Sequence, residues 1–360
     1  MSYIVPIGPY HPAMEEPIHA RLITEGEEIV DAEIFIGYNH RGIEKLSQQK
    51  NFIQTLVMVE RVCGICSHSH AWAYAMAIEG IAGIEVPKRG EYIRVIIGEL
   101  ERLHSHLLWI GIALHIVGHD SLFMHIWDFR EMVMDILEEL TGNRVNYGMV
   151  TIGGSRRDID DQKRQDVLDM LDRLEAELKV MTELILGDKT VAMRTQGVGV
   201  LTTEDAIRIG AIGPHARASN VPVDVRRDSP YSAYADFDFD IVTYPTCDVF
   251  SRVVIRVLEN FESIKIIRQA LDNLPKGKIN LGNRIPKVPA GEHLVRYEAP
   301  RGQLSYKVVT DGGECNKRLM IHVPTYKNAP TVPTMLKGNT VADAGLIIAS
   351  TDPCYSCMDR

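Results

Sequence analysis

The spacing of hydrophobic positions along the chain changes twice, and each change predicts a different kind of element. Residues 3–17 hold several prolines and show no period, which predicts an extended, irregular segment because proline lacks an amide proton. Residues 18–36 alternate about a glycine turn and predict a β-hairpin. Helical spacing then dominates residues 43–274, and short alternating runs with frequent Gly and Pro follow over 275–360.

The helical part contains four long amphipathic stretches, at 89–117, 122–140, 160–186 and 250–274. Each is longer than the average helix of about 11–12 residues, which indicates a helical bundle as the main core. The alternating C-terminal runs predict small antiparallel sheets at its periphery. We therefore expect an α+β fold, a long-helix bundle core with peripheral small antiparallel β-sheets, in a single domain spanning residues 1–360.

Composition narrows the class of protein. The chain has 360 residues, of which 45% are hydrophobic, enough for a large buried core. Its net charge of −9 argues against a nucleic-acid surface. No apolar run reaches the roughly 18 residues of a membrane span, and the first residues lack the pattern of a secretory signal. These features predict a soluble or peripheral intracellular protein that binds no nucleic acid.

Two C-x-x-C pairs, at 63–66 and 354–357, are the main candidates for chemistry. This spacing lets both thiolates of one turn hold a single soft metal, so the two pairs are expected to converge on one centre. Structural zinc is the usual meaning of such pairs, but zinc sites are commonly formed by short local loops. Cys247 and Cys315 stand alone and are expected to be buried structural thiols.

The segments around these pairs resemble a known family. The pattern R-x-C-G-x-C-x-x-x-H at 61–70 and D-P-C-x-x-C-x-x-R at 352–360 resemble the two signature motifs of nickel–iron hydrogenase large subunits. The segments HRG-x-E at 40–44, EAPRG at 298–302 and V-P-T at 323–325 resemble further motifs of that family and occur in its order. The resemblance therefore covers almost the whole chain.

A second likeness is to the quinone-site subunit of respiratory complex I. It is carried by G-P-x-H-P at 8–12 and by the stretch at 99–111. The double resemblance points to membrane-bound, energy-converting hydrogenases, with the Ech type nearest in size. Complex I subunits are not expected to keep four cysteines, which favours the metal-bearing family. The alternative is a complex I-like quinone-module or scaffold subunit with a structural zinc or cysteine site.

The resemblance implies a nickel–iron centre with carbon monoxide and cyanide ligands on iron. By motif position, Cys66 and Cys357 would bridge nickel and iron, and Cys63 and Cys354 would bind nickel terminally. Soft thiolates suit such metals, and an electron-rich sulfur can accept a proton. Cys354 is therefore also the expected first proton acceptor.

Further site residues follow from the same resemblance. Pro324 and Thr325 would surround the diatomic ligands, and His70 would donate to a cysteine sulfur. Arg301 would extend its fixed charge over the open metal position, although a surface arginine in a Pro-Gly turn is its ordinary interpretation. Glu16 matches the proton-relay glutamate of the family, although an exposed N-terminal glutamate is the more common case.

Glu44 is a candidate ligand for a second metal ion. In many relatives the matching glutamate binds a magnesium or iron ion together with a C-terminal histidine, but this sequence has Arg360, which cannot ligate a cation. Glu44 is expected either to pair with an arginine or to serve the proton path. His115 and His119 have the i,i+4 spacing of helical ligands, and we interpret them as hydrogen-bonded histidines of the bundle.

The resemblance implies a catalytic subunit that interconverts dihydrogen with two protons and two electrons. The sequence has no further cysteine cluster that could bind an iron–sulfur cluster, so the electrons would leave through partner subunits. These partners would be an iron–sulfur small subunit and a ferredoxin-like subunit, and ferredoxin would be the external electron carrier. Integral membrane subunits would translocate ions. The chain would lie peripherally on the cytoplasmic side of the membrane, and its ending after the last motif fits removal of a C-terminal extension.

Overall fold

The computed structural model describes residues 2–12, 14, 16–282 and 287–360. Long helices form the core, and small antiparallel sheets lie at its edges, so the predicted α+β fold with a helical core is confirmed. The assignment of residues 1–360 to one domain stays a prediction. Within the described residues, no helix has both the length and the apolar character needed to cross a bilayer.

Five long helices make up the bundle. The central one, α2, packs against α3 and α5, and α4 packs against both of these. Aspartates cap two of them, because the side chains of Asp160 and Asp248 accept hydrogen bonds from backbone amides of the first turn. The helices are α1 (Ser67–Ala82), α2 (Lys88–Val117), α3 (Asp120–Thr141), α4 (Asp161–Gly187) and α5 (Val249–Asp272).

Short helices connect these elements. The α-helical segments are Ile43–Leu46, Phe52–Val59, Lys189–Thr195, Thr203–Ile209, Gly213–Arg217, Val225–Asp228, Pro324–Asn328, Val332–Leu336, Ala344–Ala349 and Tyr355–Asp359. The 3-10 turns are Ser47–Gln49, Glu60–Val62, Tyr234–Asp236, Ala329–Thr331 and Val341–Asp343. Two of the α-helical segments, Pro324–Asn328 and Tyr355–Asp359, pack against each other next to the second cysteine pair.

Three sheets are present in the described residues, and all are antiparallel. The first has the order β1-β2-β3, the second is a two-residue pair and the third has the order β6-β7-β8. The strands are β1 (Ser2–Ile7), β2 (His19–Glu25), β3 (Glu28–Phe35), β4 (Val150–Thr151), β5 (Gly154–Ser155), β6 (Ala290–Ala299), β7 (Gly302–Asp311) and β8 (Arg318–His322).

The expectation of an irregular segment over 3–17 is wrong for its first part. Ser2–Ile7 forms a regular strand whose register runs from Ser2 opposite Glu25 to Ile7 opposite Ala20. Pro6 is tolerated because β1 is an edge strand, where a missing amide proton costs no ladder hydrogen bond. The number of prolines alone is therefore not enough to predict irregular structure in this segment.

A network of buried charges fixes α2 within the bundle. Glu99 is fully buried and accepts hydrogen bonds from Arg102 at 3.1 Å and from Arg226 at 3.0 Å. Burial would raise the pKa of Glu99, but the two guanidinium groups outweigh it and lower the pKa to about 2. The carboxylate is therefore charged and paired, as a buried ion must be.

Of two predictions about side chains away from the centre, one is wrong and one is confirmed in part. Cys247 and Cys315 are half-buried rather than buried. His115 lies at the exposed end of α2, where its Nδ1 atom is 2.7 Å from Asp120, and His119 faces Asp188. The histidines therefore have polar partners, as predicted, but these partners are carboxylates at the surface and not groups inside the bundle.

Candidate metal centre

The two cysteine pairs meet in the interior of the protein. The Sγ atom of Cys63 lies 3.4 Å from that of Cys354, and the Sγ atom of Cys66 lies 3.5 Å from that of Cys357. Cys354 and Cys357 are themselves 3.0 Å apart, and all four residues are buried. The predicted convergence of four sulfurs from the two ends of the sequence is therefore present.

Tight turns that lead into helices hold both pairs. In the first, the backbone amides of Ile65 and Cys66 donate to the Sγ atom of Cys63 at 3.2 and 3.3 Å, and α1 starts directly after Cys66. In the second, Cys354 immediately precedes the helix Tyr355–Asp359. Asp352 turns the chain before it with a φ of 53°, a left-handed conformation that Asp tolerates better than most residues.

Arg41 joins the two cysteine turns directly. Its guanidinium donates to the carbonyl oxygens of Arg61 at 2.9 Å and Val62 at 2.8 Å, next to the first pair. It also donates to the carbonyl oxygen of Ser356 at 2.6 Å, inside the second pair. A planar group with five donors can satisfy several carbonyls at once, so Arg41 fixes the distance between the turns.

The charges of the four sulfurs are coupled. Hydrogen bonds from Cys354, Cys357 and Cys66 lower the pKa of the Cys63 thiol well below its usual value. Burial raises the pKa of the Cys357 thiol well above its usual value. Sulfurs this close and this buried carry several negative charges only with a cation between them, so the donor set fits a soft metal.

Geometry also agrees with a shared ligand shell. The Sγ atoms of Cys63, Cys66 and Cys357 all lie within 4.8 Å of one another. Zinc–sulfur bonds are about 2.3 Å long, so two sulfurs bound to one such ion lie less than about 4.6 Å apart, which is comparable with the separations found here. The spacing suits any soft divalent metal, so the surrounding residues have to indicate which metal the site holds.

A small cavity opens beside the sulfurs. Besides cysteines, its wall contains three apolar residues, Ala299, Leu304 and Pro324, and three polar ones, His70, Arg301 and Thr325. Such a cavity suits small, weakly polar ligands that need a few hydrogen-bond donors, which is what carbon monoxide and cyanide on iron require. The predicted residues around the diatomic ligands therefore lie together.

His70 links the centre to a tyrosine. Its Nε2 atom lies 3.4 Å from Cys357 Sγ, and its Nδ1 atom lies 2.7 Å from the hydroxyl of Tyr306. Burial lowers the pKa of His70 to about 4, so the ring is neutral near pH 7. In the tautomer with its proton on Nε2, His70 accepts from Tyr306 at Nδ1 and donates toward the sulfur.

Arg301 is not a surface residue. It is only 5% exposed, and its Nη2 atom lies 2.6 Å from Asp352 Oδ1. Its Nε atom donates to the Asp352 carbonyl at 2.9 Å and its Nη1 atom to Ser105 at 3.0 Å. Burial would lower the pKa of Arg301, but Asp352 and the cysteine sulfurs raise it well above its usual value. The guanidinium is a fixed positive charge at the cavity.

Thr325 touches the second cysteine turn. Its Oγ1 atom accepts a hydrogen bond from the backbone amide of Cys354 at 3.0 Å. Pro324 begins the helix Pro324–Asn328, where proline is favoured because its missing amide proton is not needed. The hydroxyl proton of Thr325 is left to donate elsewhere in the cavity.

Glu16 reaches the same turn from the N-terminal segment. Its carboxylate accepts hydrogen bonds from the amide of Ser356 at 2.9 Å and from the hydroxyl of Ser356 at 2.5 Å. Ser356 lies between Cys354 and Cys357 in sequence. The interpretation of Glu16 as a free surface side chain therefore does not hold, because the carboxylate is fixed against the cysteine turn.

Glu44 forms ion pairs. Its carboxylate accepts from Arg360 at 2.9 Å, from Arg318 at 3.2 Å and from the amide of Ile321 at 2.9 Å. Two guanidinium groups occupy the positions that a metal ion would need, so the residues present do not fit a second cation. Of the two alternatives for Glu44, pairing with an arginine is the one found.

Comparisons with known proteins agree with this site. A family model described as "Nickel-dependent hydrogenase" matches residues 41–116, and one described as "Respiratory-chain NADH dehydrogenase, 49 Kd subunit" matches 117–287 and 281–360. The carbon monoxide-induced hydrogenase of Rhodospirillum rubrum is 41% identical over 100% of this chain and 99% of its own length. The chain belongs to this hydrogenase and NADH dehydrogenase 49 kDa subunit family.

Relatives on both sides of the family cover the whole chain. A subunit of the NADH-quinone oxidoreductase of Dehalococcoides mccartyi is 38% identical over 100% of this chain and 98% of its own length. One solved structure, of an archaeal respiratory membrane complex called the membrane-bound sulfane sulfur reductase, contains a chain with a TM-score of 0.94. That chain is 31% identical, and the match covers 100% of this chain and 98% of that one.

Family motifs predicted most of the cavity, but several contacts were missed. Tyr306 next to His70, Ser356 next to Glu16 and the carbonyl contacts of Arg41 were not anticipated. Neither was Glu101, which accepts from the amides of His68 and Ser69 at the start of α1. Tyr306 lies outside the motifs, and Glu101 lies in the stretch 99–111 of the second likeness, but no spacing rule indicates what either residue contacts. Arg41 and Ser356 lie inside motifs, but only the fold shows what they bind.

Proposed function

We propose that this chain is the catalytic subunit of a nickel–iron hydrogenase that interconverts dihydrogen with two protons and two electrons. The observation that carries the proposal is the meeting of four buried cysteine sulfurs from the two ends of the chain, at distances of 3.0–3.5 Å. A nickel–iron pair bound there would supply the soft Lewis acid at which dihydrogen is polarised and its electrons are taken up.

The assignment of ligands rests on motif position and agrees with the pairing of sulfurs. Cys66 and Cys357 would bridge the metals, and Cys63 and Cys354 would bind nickel terminally. Each of these two pairs joins one cysteine from each turn, 3.5 Å and 3.4 Å apart. The cavity beside them supports carbon monoxide and cyanide on iron, because Pro324 supplies apolar wall and a hydroxyl and a guanidinium supply donors.

Arg301 would stabilise the charge that develops when dihydrogen splits. Its position is set by Asp352 and Ser105 before any substrate arrives, so no reorganisation is needed at the moment of reaction. Because Asp352 and the cysteine sulfurs raise the pKa of Arg301 well above its usual value, Arg301 positions and polarises and does not itself carry the proton.

The proton would leave by way of the second cysteine turn. In the direction of oxidation the bond between the two hydrogen atoms breaks, the Cys354 sulfur accepts one proton and Glu16 accepts it next. The hydroxyl of Ser356, which lies in the same turn as Cys354, is bonded to Glu16 at 2.5 Å and keeps the carboxylate within reach. The second proton follows the same route, and the two electrons leave through a partner.

We also propose partners and a location for the chain. Electrons would pass to an iron–sulfur cluster in the small subunit and to ferredoxin through a ferredoxin-like subunit, and integral membrane subunits would translocate ions. The chain would sit peripherally on the cytoplasmic side of the membrane. The names of two relatives, a carbon monoxide-induced hydrogenase and a membrane-bound hydrogenase subunit alpha, support the hydrogenase and the membrane complex in this proposal.

The alternative function is a quinone-module or scaffold subunit with a structural zinc or cysteine site. The match of residues 117–360 to the 49 kDa subunit of NADH dehydrogenase favours it. Two features favour the hydrogenase: all four cysteines are present, and Arg301 and Thr325 line a cavity next to them. A structural zinc needs neither the cavity nor the fixed guanidinium beside it.

Exchange between deuterium gas and water tests the function directly in the purified complex, without any electron acceptor. The proposal predicts formation of HD, and infrared bands of carbon monoxide and cyanide bound to iron. A complex that lacks both signals and reduces a quinone, or that contains zinc at the cysteines, would instead support the alternative.

A further inference from the structure

The outer face of the C-terminal sheet carries positive charge that the hydrogenase proposal does not use. Its inner face is apolar and packs on the core, whereas the outer face borders an open depression with a volume of about 560 Å³. We define the basic sheet face as this depression with its five cationic and three exposed apolar side chains: Arg296, Lys307, Arg318, Lys327, Arg360, Leu294, Met320 and Tyr326.

The register of the strands arranges these side chains in rows. Leu294 of β6, Lys307 of β7 and Met320 of β8 lie side by side across the sheet, so an ammonium group is flanked by two apolar side chains. Arg296 starts the next row. Leu294 is 54% exposed and Met320 43% exposed, which is high for apolar side chains in a sheet.

The charge of this face is only partly neutralised within the chain. Glu44 pairs with Arg318 and Arg360, and Glu292 lies 3.1 Å from Lys307. In the part of the chain that the structure describes, Arg296 and Lys327 form no ion pair. Five cations therefore face two carboxylates, on a chain whose net charge is −9. The excess of positive charge is local and opposite in sign to the rest of the protein.

We infer that the basic sheet face is the docking surface for an acidic segment of another protein subunit. Charge complementarity gives the sign of the partner, and Leu294, Met320 and Tyr326 give it an apolar contact between the charged groups, the composition found in protein interfaces. A second copy of this chain would bring net negative charge but no segment shown to fit, and an anionic bilayer is the other occupant that the experiment below distinguishes.

The inference is independent of the metal centre. None of the five cationic side chains takes part in the proposed chemistry. A change at Arg296 is therefore expected to weaken docking and to leave the metal content of the chain unchanged, so the two proposals can fail separately.

Carbodiimide cross-linking of the intact complex tests this inference, because the reagent joins a lysine amine directly to a carboxylate in contact with it. We expect Lys307 and Lys327 to be joined to Asp or Glu residues of a different subunit, as read by mass spectrometry. The yield should fall at high salt, since the screening length decreases from about 10 Å at 0.1 M to about 3 Å at 1 M. Arg296→Glu should lower the yield at least tenfold. The control variant, Arg208→Glu, changes an exposed arginine outside the basic sheet face and should leave the yield unchanged.

Three results would overturn the inference. Cross-links of Lys307 and Lys327 only to residues of their own chain would show that no partner docks there. Cross-links to a second, isotopically labelled copy of the chain would make the face a contact between copies. Protection of both lysines from an amine reagent only in vesicles of anionic phospholipid, and not in neutral detergent, would make it a membrane contact.

Discussion

The Sγ atom of Cys63 lies 3.4 Å from the Sγ atom of Cys354, although 291 positions of sequence separate the two residues. Closing so long a loop costs conformational entropy, which the helical bundle between the two turns has to offset. A metal bound to both turns would add its binding free energy to that of the fold.

Glu16→Gln should block proton transfer and leave the metals in place. The amide side chain can still accept from Ser356 but cannot take up a proton, and loss of a positioned acid–base group costs about 100-fold or more in rate. Deuterium–water exchange and hydrogen oxidation should both fall, with nickel content unchanged. Glu27→Gln, at an exposed hairpin position, is the matched control. Loss of nickel from Glu16→Gln would show that this residue holds the site together.

Ser356→Ala separates placement of Glu16 from proton transfer through the hydroxyl. The backbone amide of Ser356 still donates to Glu16 at 2.9 Å, so the carboxylate should stay in position. We expect a loss of about tenfold in exchange rate, smaller than for Glu16→Gln, because one of two hydrogen bonds remains. Equal losses in both variants would mean that the hydroxyl itself carries the proton.

Arg301→Lys should retain the positive charge but lose the two hydrogen bonds that hold the charge in position. Lysine cannot donate at once to the Asp352 carbonyl and to Ser105, as the guanidinium does at 2.9 and 3.0 Å. We expect kcat for hydrogen oxidation to fall about 100-fold, since one preorganised charge is worth about that much in a closed site. Infrared bands of the metal ligands should persist. Full activity in this variant would contradict the proposed role.

Arg41→Lys should loosen the join between the two cysteine turns. It removes the fork that binds the carbonyls of Val62 and Ser356, and we expect a loss of about 1–2 kcal/mol in the free energy of unfolding. The thermal midpoint and the nickel occupancy should fall together. Arg21→Lys is the control, because Arg21 interacts with Glu33 and the ring of Phe35 at the surface, where such contacts contribute little. A fall in both variants would point to a general effect of removing an arginine.

His104 should make the protein less stable in mild acid. Burial lowers the pKa of His104 to about 3, whereas an unfolded histidine has a pKa of about 6.5. Between these values the unfolded chain binds one more proton than the folded chain. The free energy of unfolding therefore falls by about 1.4 kcal/mol for each pH unit below 6.5.

The matching variant is His104→Gln, whose amide can still donate to the Ile65 carbonyl that His104 contacts at 3.1 Å. Thermal melts of the two proteins at pH 7 and pH 5 measure the difference. The variant should lose less stability on acidification, although buried His68 keeps part of the effect, since burial lowers its pKa to about 3 as well. Parallel curves for the two proteins would show that His104 is protonated in the fold.

Local patterns predicted the long helices well, because a strong 3.6-residue period over twenty or more residues leaves few alternatives. The predicted stretch 89–117 became Lys88–Val117, and 122–140 became Asp120–Thr141. The first strand was missed because its partner, β2, supplies the reason for its regularity. The pattern of one segment alone does not include such a partner.

In the candidate site, too, the sequence predicted local features but not the contacts between distant residues. Motifs indicated the residue types near the centre, including Arg301 and Glu16, but not what holds them. Tyr306 reaches His70 across 236 positions, and Ser356 reaches Glu16 across 340. Contacts at this range depend on the packing of the whole bundle, which no spacing along the chain encodes.

The nickel content of the purified complex is the most direct test of the central claim. Elemental analysis by mass spectrometry should find about one nickel per chain, and the nickel should be absent when Cys63 or Cys357 is replaced by Ser. Nickel is the informative metal because a partner's iron–sulfur cluster would also contribute iron. One zinc per chain, or a folded complex with no metal at these cysteines, would contradict the account.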